Sequence, residues 1–146
     1  MIPPTEPQED RIPVLLVDDN LMFLHILSDL VNGHPSMKVI GKARSGEQAF
    51  EAARKLLPRV IVFDRDMQVF SNPQAIAYLK TRSPGAILIG LTLIADEQSL
   101  ILEASYGVDL VLKKSCVGSH LALSIGALSQ RNLTPECCEQ PLFMEK

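Results

Sequence analysis

The sequence predicts a doubly wound α/β domain, and three observations carry that expectation. Five short apolar runs alternate with stretches of helical periodicity between residues 12 and 128. The runs are continuously apolar rather than alternating, as strands buried on both faces of a parallel sheet must be. Four of the five end in ionisable or hydroxyl residues, at the carboxyl edge where open α/β sheets bind ligands.

The first strand is expected at Val14–Val17, and Leu21, Leu24, Leu27, Leu30 and Val31 then recur at the spacing of a helix. A second strand follows at Lys38–Ala43. Ser45-Gly46-Glu47-Gln48 reads as a capping box opening a second helix, whose apolar positions are Ala49, Ala52, Ala53 and Leu56 and which Pro58 stops. The third strand is Val60–Phe63. Asn72-Pro73 suits a cap followed by proline at the first helical position, with Ile76, Tyr78 and Leu79 beyond it. A fourth strand is expected at Ala86–Leu91 and a fifth at Leu110–Leu112, each followed by a helix, with Asp96 and Ser115 placed to cap them. Residues 1–11, rich in Pro, Glu, Asp and Gln, read as a flexible arm, residues 12–130 as the domain, and residues 131–146 as a polar tail with no room for an effector domain.

With 146 residues, 47% of them hydrophobic and 21% charged, the chain matches one globular domain whose core needs neither disulfide nor zinc. Seventeen acidic against fourteen basic residues give a net charge of −3, which argues against direct binding to nucleic acid. The longest apolar runs fall far short of the ~20 residues of a membrane span, and the start is neither basic nor apolar, so a cytoplasmic protein that stays off the membrane is expected. Three cysteines, two of them the adjacent Cys137-Cys138, form neither a disulfide framework nor a zinc spacing.

The chemistry lies at the carboxyl end of each run. Val17 is followed by Asp18-Asp19, Phe63 by Asp64-Arg65-Asp66, Leu91 by Thr92, and the fifth strand runs into Lys113-Lys114. In the strand order 2-1-3-4-5 these four strands are contiguous and the first and third meet at the topological switch point. Asp18, Asp19 and Asp64 would then crowd together, and like charges at such range need a compensating cation. Oxygen ligands alone favour Mg²⁺. A hydroxyl at Thr92 and an ammonium at Lys114 beside that cation are the equipment of phosphoryl transfer. Asp64 follows the most buried central run and is the carboxylate chosen as nucleophile, with Asp18 and Asp19 as the metal's partners. Taken singly, each acid serves equally well as a helix cap or turn residue. Arg65 and Lys113 read as surface charge. A nucleotide site is excluded, because the loop after the first strand is Asp18-Asp19-Asn20 rather than a glycine-rich phosphate cradle.

This set, Asp18-Asp19, Asp64, Thr92 and Lys114 at successive strand ends, resembles the receiver domain of two-component response regulators, over residues 12–130 and with the stand-alone form of a chemotaxis regulator. The stretch from Val39 to Ala49 is also similar to receivers that usually carry a C-terminal helix-turn-helix. The resemblance implies a flavodoxin-like fold in which Asp64 accepts a phosphoryl group from a histidine kinase or phosphotransfer protein. It implies Mg²⁺ held by Asp18, Asp19, Asp64 and the backbone carbonyl of Asp66. It further implies that Thr92 moves to contact the phosphoryl oxygens and Lys114 pairs with them. The fourth helix, fifth strand and fifth helix would carry the signal to a protein target or a homodimer partner, and the aspartyl phosphate would hydrolyse slowly by self-catalysis.

Several positions depart from that family's pattern: Gln68 for proline, Ser71-Asn72 for Asp-Gly, Leu93 for a small residue expected to leave the pocket mouth open, Val111 for an aromatic switch, and Ser115 for proline. Those at Gln68, Leu93 and Val111 motivate an alternative, a phosphorylation-independent adaptor of the same fold. A second alternative comes from Val62-Phe63-Asp64-Arg65-Asp66, which resembles the opening motif of haloacid-dehalogenase-type phosphatases; that motif, however, normally begins the fold and leaves room for a substrate cap.

Overall fold

The computed structural model describes residues 11–94 and 106–130. Their elements run β1 (Ile12–Val17), α1 (Leu21–Asn32), β2 (Met37–Ala43), α2 (Gly46–Leu56), β3 (Val60–Asp64), α3 (Pro73–Arg82), β4 (Ile87–Thr92), β5 (Leu110–Lys113) and α4 (Val117–Gln130). The strands form one parallel sheet in the order β2-β1-β3-β4-β5, as expected. The helix expected after Asp96 lies outside the described residues.

Alternation along each strand divides the core in two. Leu15, Val17, Ile61, Phe63 and Leu88 face α2 and α3, meeting Ala49, Ala53, Ile76 and Leu79. Val14, Leu16, Val60, Val62 and Leu110 face the other way, against Leu24, Leu27 and Val31 of α1 and Leu121 and Ile125 of α4. The inner strands β1, β3 and β4 are covered on both faces, which explains their uniform apolar runs, whereas the edge strand β2, which carries Lys38 and Lys42, is buried only at Met37 and Ala43. Leu21, Leu56 and Tyr78 lie at the margins of their helical stripes and are exposed.

The strands begin or end one or two residues from their expected limits, because the parallel ladder continues into flanking residues that break the apolar pattern. Thus β3 takes in Asp64, β4 Thr92 and β5 Lys113, and each of these leads directly into a loop at the same edge of the sheet.

The helix starts follow local chemistry. Asn20, not Asp19, caps α1, its side chain accepting from the Phe23 amide at 3.0 Å. The Ser45 hydroxyl accepts from the Gln48 amide at 3.1 Å, while the Gln48 side chain accepts from the Arg44 amide at 2.8 Å, one residue upstream of a standard capping box. Asn72 caps α3 through the Gln74 amide at 3.0 Å, with Pro73 in the first turn. Ser115 does not cap α4: it sits inside a 3₁₀ turn, Lys114–Cys116, which intervenes between β5 and the helix. At the end of α2, Leu57 adopts a left-handed φ of 49° before Pro58. Gly46 lets the start of α2 meet the loop after β3, since a β-carbon there would stand 2.7 Å from Val69 Cγ2.

Candidate functional site

The site begins with two adjacent strands that end on carboxylates. β1 and β3 pair in register up to Val17 and Phe63, so Asp18 and Asp64 emerge side by side. Asp18, Asp19 and Asp64 each offer an oxygen within 4.8 Å of the others. Asp18 is 0% and Asp64 5% exposed, while Asp19 faces solvent. Both buried acids are tied to their own turns: Asp18 Oδ1 accepts from the Asn20 amide at 2.8 Å, and Asp64 Oδ1 from the Asp66 amide at 2.9 Å. Each keeps its other oxygen for the centre of the site.

That centre holds Lys114. Its Nζ lies 3.2 Å from Asp18 Oδ2 and 3.3 Å from Asp64 Oδ2, and 4.7 Å above the Phe23 ring. The 3₁₀ turn after β5 brings the lysine there, two strands away from β3. Burial pushes the Asp64 carboxyl above its ordinary range, with the Asp18 charge adding to it; the Asp66 amide and Lys114 only partly offset this. Burial pulls Lys114 down, but the charges of Asp64 and Asp18 outweigh it and hold the ammonium above its ordinary value.

Among the described residues, three carboxylates against one ammonium leave the cluster with excess negative charge. Hard oxygen donors, an exposed third acid and a partly open rim suit Mg²⁺, which binds through one or two carboxylates and keeps waters for exchange.

Thr92, at the end of β4 and almost fully buried, bonds to Asp66 rather than to Asp18, Asp64 or Lys114. Its Oγ1 stands 3.0 and 3.2 Å from the two Asp66 carboxylate oxygens and 2.9 Å from the Ile94 carbonyl. The Leu93 amide also donates to Asp66 Oδ2, at 2.9 Å, and Arg65 Nη1 lies 3.4 Å from Asp66 Oδ1. Arg65 is therefore a partner within the site rather than the plain surface charge expected. The Leu93 side chain is 70% exposed, next to Ile94 at 76%. Val111 is buried in the core that contains Phe63, and Gln68 opens a 3₁₀ turn, Gln68–Ser71, that seats Phe70 4.9 Å from the Phe63 ring.

Every expected site residue thus lies at the carboxyl edge of the sheet, with Asp18, Asp19, Asp64 and Lys114 together and Thr92 held aside by Asp66. Sequence reasoning assigned Asp66 only a backbone carbonyl and missed its side chain. Strand register held a signal, since Asp64 pairs with Leu91 and the residues just beyond each must meet. Phe23 beneath Lys114, and Arg44, whose Nη2 donates to the Asp19 carbonyl at 3.2 Å, left no such trace.

The family model of the response regulator receiver domain matches residues 14–125. Among curated proteins, a protein-glutamate methylesterase/protein-glutamine glutaminase of Thermotoga maritima is 30% identical over 131 residues, 88% of this chain and 36% of its own length. A second, from Methanosarcina mazei, is 33% identical over 114 residues, 77% of this chain and 31% of its own. The chain spans about a third of the length of these relatives. Among solved structures, the response regulator domain of Thermotoga maritima CheB superposes with a TM-score of 0.69 at 25% identity, over 86% of this chain and 99% of that one. The isolated REC domain of RcsB from Salmonella enterica, in its apo form, gives 0.76 at 19% identity over 83% and 90%, a likeness of fold alone.

Proposed function

Because the chain belongs to the response regulator receiver family, we propose that Asp64 is its phosphoacceptor and that the group arrives from the phosphohistidine of a histidine kinase or phosphotransfer protein. A carboxylate oxygen of Asp64 attacks phosphorus, the phosphorus–nitrogen bond of the donor breaks, and the released imidazole takes up a proton. Asp18, Asp19, Asp64 and the Asp66 carbonyl would hold Mg²⁺, whose charge offsets that of the transferring oxygens. Lys114, already between Asp18 and Asp64, then pairs with a phosphoryl oxygen, and Thr92 supplies a hydroxyl to another.

The observation that carries this reading is the packing of three carboxylates within 4.8 Å around one lysine at the sheet's carboxyl edge. A surface serving contacts alone gains nothing from that arrangement, because the repulsion lowers stability. The same geometry disfavours the adaptor alternative, and the family match disfavours the phosphatase.

Output through the segment opened at Asp96, β5 and α4 toward a protein target, or a homodimer across that face, belongs to the same proposal. So do slow self-catalysed hydrolysis, a cytoplasmic setting, and a receiver at 12–130 between an arm and a tail. Among the described residues no helix is long and apolar enough to cross a membrane. The matched span is the receiver, so the esterase and glutaminase activities named for the relatives are not assigned to it.

Intact-protein mass after incubation with acetyl phosphate and Mg²⁺ tests the reading. A gain of one phosphoryl group is expected in the wild type, and none in Asp64→Asn or with chelator. Equal labelling of Asp64→Asn would overturn the assignment.

A further inference from the structure

The Asp66 carboxylate has no task in phosphoryl transfer to Asp64, yet it takes up the donors that the reaction needs. It lies 3.0 and 3.2 Å from Thr92 Oγ1 and accepts from the Leu93 amide at 2.9 Å. The Thr92 hydroxyl has one proton, which can serve Asp66 or the Ile94 carbonyl at 2.9 Å but not both. An ionised carboxylate is the stronger acceptor, so the proton belongs to Asp66.

A phosphoryl group on Asp64 would present the same chemistry: anionic oxygens, two residues away on the same turn, seeking a hydroxyl and an N–H. Thr92 cannot bond to both anions with one proton. We propose that the Asp66 carboxylate is an internal competitor for the phosphoryl group, holding the Thr92 hydroxyl and the Leu93 amide in the unphosphorylated protein and releasing both when Asp64 is phosphorylated. Asp66 is thus a positioning residue that acts through Thr92, and the inference rests on Asp64 as acceptor.

The geometry gives the release a destination and a consequence. Arg65 Nη1, 3.4 Å from Asp66 Oδ1, is in place to keep the freed carboxylate. Leu93 and Ile94, both exposed, follow Thr92 directly, and the amide that Asp66 holds is Leu93's own, so its release bears on the backbone of this apolar pair. Acceptor chemistry is thereby linked to a surface segment without the aromatic ring that Val111 replaces.

The test is a double-mutant cycle of Asp66→Asn and Thr92→Ala, read as the initial rate of labelling by acetyl phosphate in Mg²⁺. Exchanging a charge-assisted hydrogen bond for a neutral one should speed labelling about fivefold in Asp66→Asn. In the Thr92→Ala background the same change should give a clearly smaller gain, because the hydroxyl is gone and only the Leu93 amide is left to release. Hydrogen exchange at the Leu93 amide, measured without metal or phosphodonor, should quicken in Asp66→Ala, and thermal melts confirm that each variant folds.

A gain of undiminished size in Thr92→Ala would overturn the proposal in favour of simple charge repulsion. So would unchanged or slower labelling of Asp66→Asn beside a labelled wild type, which leaves Asp64 as acceptor untouched. Labelling of Asp66→Asn alone, with the wild type inert, would support it most strongly. If neither is labelled while both are folded, the acceptor reading falls and the competitor with it.

Discussion

Two clusters sit side by side at the carboxyl edge of the sheet, and their electrostatics are opposite. Where β1 and β3 end, Asp18, Asp19 and Asp64 share one ammonium and carry surplus negative charge. Where β3 and β4 end, among the described residues, the Asp66 carboxylate is met by a hydroxyl, an amide and a guanidinium. Among the described residues the first cluster has more carboxylates than cations, whereas in the second the carboxylate already has its donors. A ligand can stabilise the first simply by binding, but it must compete at the second.

The contrast breaks most severely at Asp64. Asp64→Asn is expected to lose all labelling while gaining stability without metal, because it removes a carboxyl whose ionised form burial disfavours. A gain in urea or thermal unfolding is the expected sign; a loss would show that the charge is better compensated than the geometry implies.

Lys114→Ala tests the other partner. Asp18 and Asp64 would face each other without a cation, and a loss of about 2–3 kcal/mol is expected in chelator. Adding Mg²⁺ should restore part of it. Failure of Mg²⁺ to raise the variant's Tm would remove the metal from the cluster.

A third expectation concerns pH. The folded-state pKa of Asp64 lies above its ordinary value of 3.8, so the folded protein holds that proton more tightly than the unfolded chain does. Stability contributed by the protonated form is present at low pH and declines as pH rises through the window between the ordinary and the raised value. In metal-free buffer, the Tm advantage of Asp64→Asn over wild type should therefore widen across that window and level off above it. An advantage that shrinks with rising pH would contradict the direction of the shift.

The smallest effect belongs to the satisfied cluster. Thr92→Val keeps the shape and removes one hydrogen bond to a carboxylate that retains two other donors, so about 1 kcal/mol is expected from chemical unfolding. A loss several times larger would mean that Asp66 and Thr92 hold the β3 and β4 loops together rather than merely occupying each other.

How much of this was legible in the sequence depends on the same contrast. The five strands and their order could be read because a sheet covered on both faces demands uninterrupted apolar runs such as Val60–Phe63. Their limits could not be placed to the residue, since the ladder runs on into Asp64, Thr92 and Lys113 after the apolar pattern has ended. Asp18, Asp19, Asp64 and Lys114 were visible because strand ends converge whatever the loops do. Asp66 was legible only as a neighbour of Thr92 through strand register; the direction of its side chain was not, because the turn that bonds its amide to Asp64 sets it and no period does. Phe23 and Arg44 reach the site from a helix and from the loop before α2, contacts that depend on tertiary packing. Ser115 misled because a serine before a helical run reads as a cap, whereas Lys114 needs the 3₁₀ turn to reach Asp18 and Asp64.

The most direct check of the acceptor is to locate the phosphoryl group. After labelling with acetyl phosphate and Mg²⁺, borohydride reduces an aspartyl phosphate to homoserine, and peptide mapping then reads which acid was modified. The account predicts homoserine at position 64 and at neither Asp18 nor Asp19. Modification at Asp18, Asp19 or Asp66 with residue 64 unchanged would contradict it.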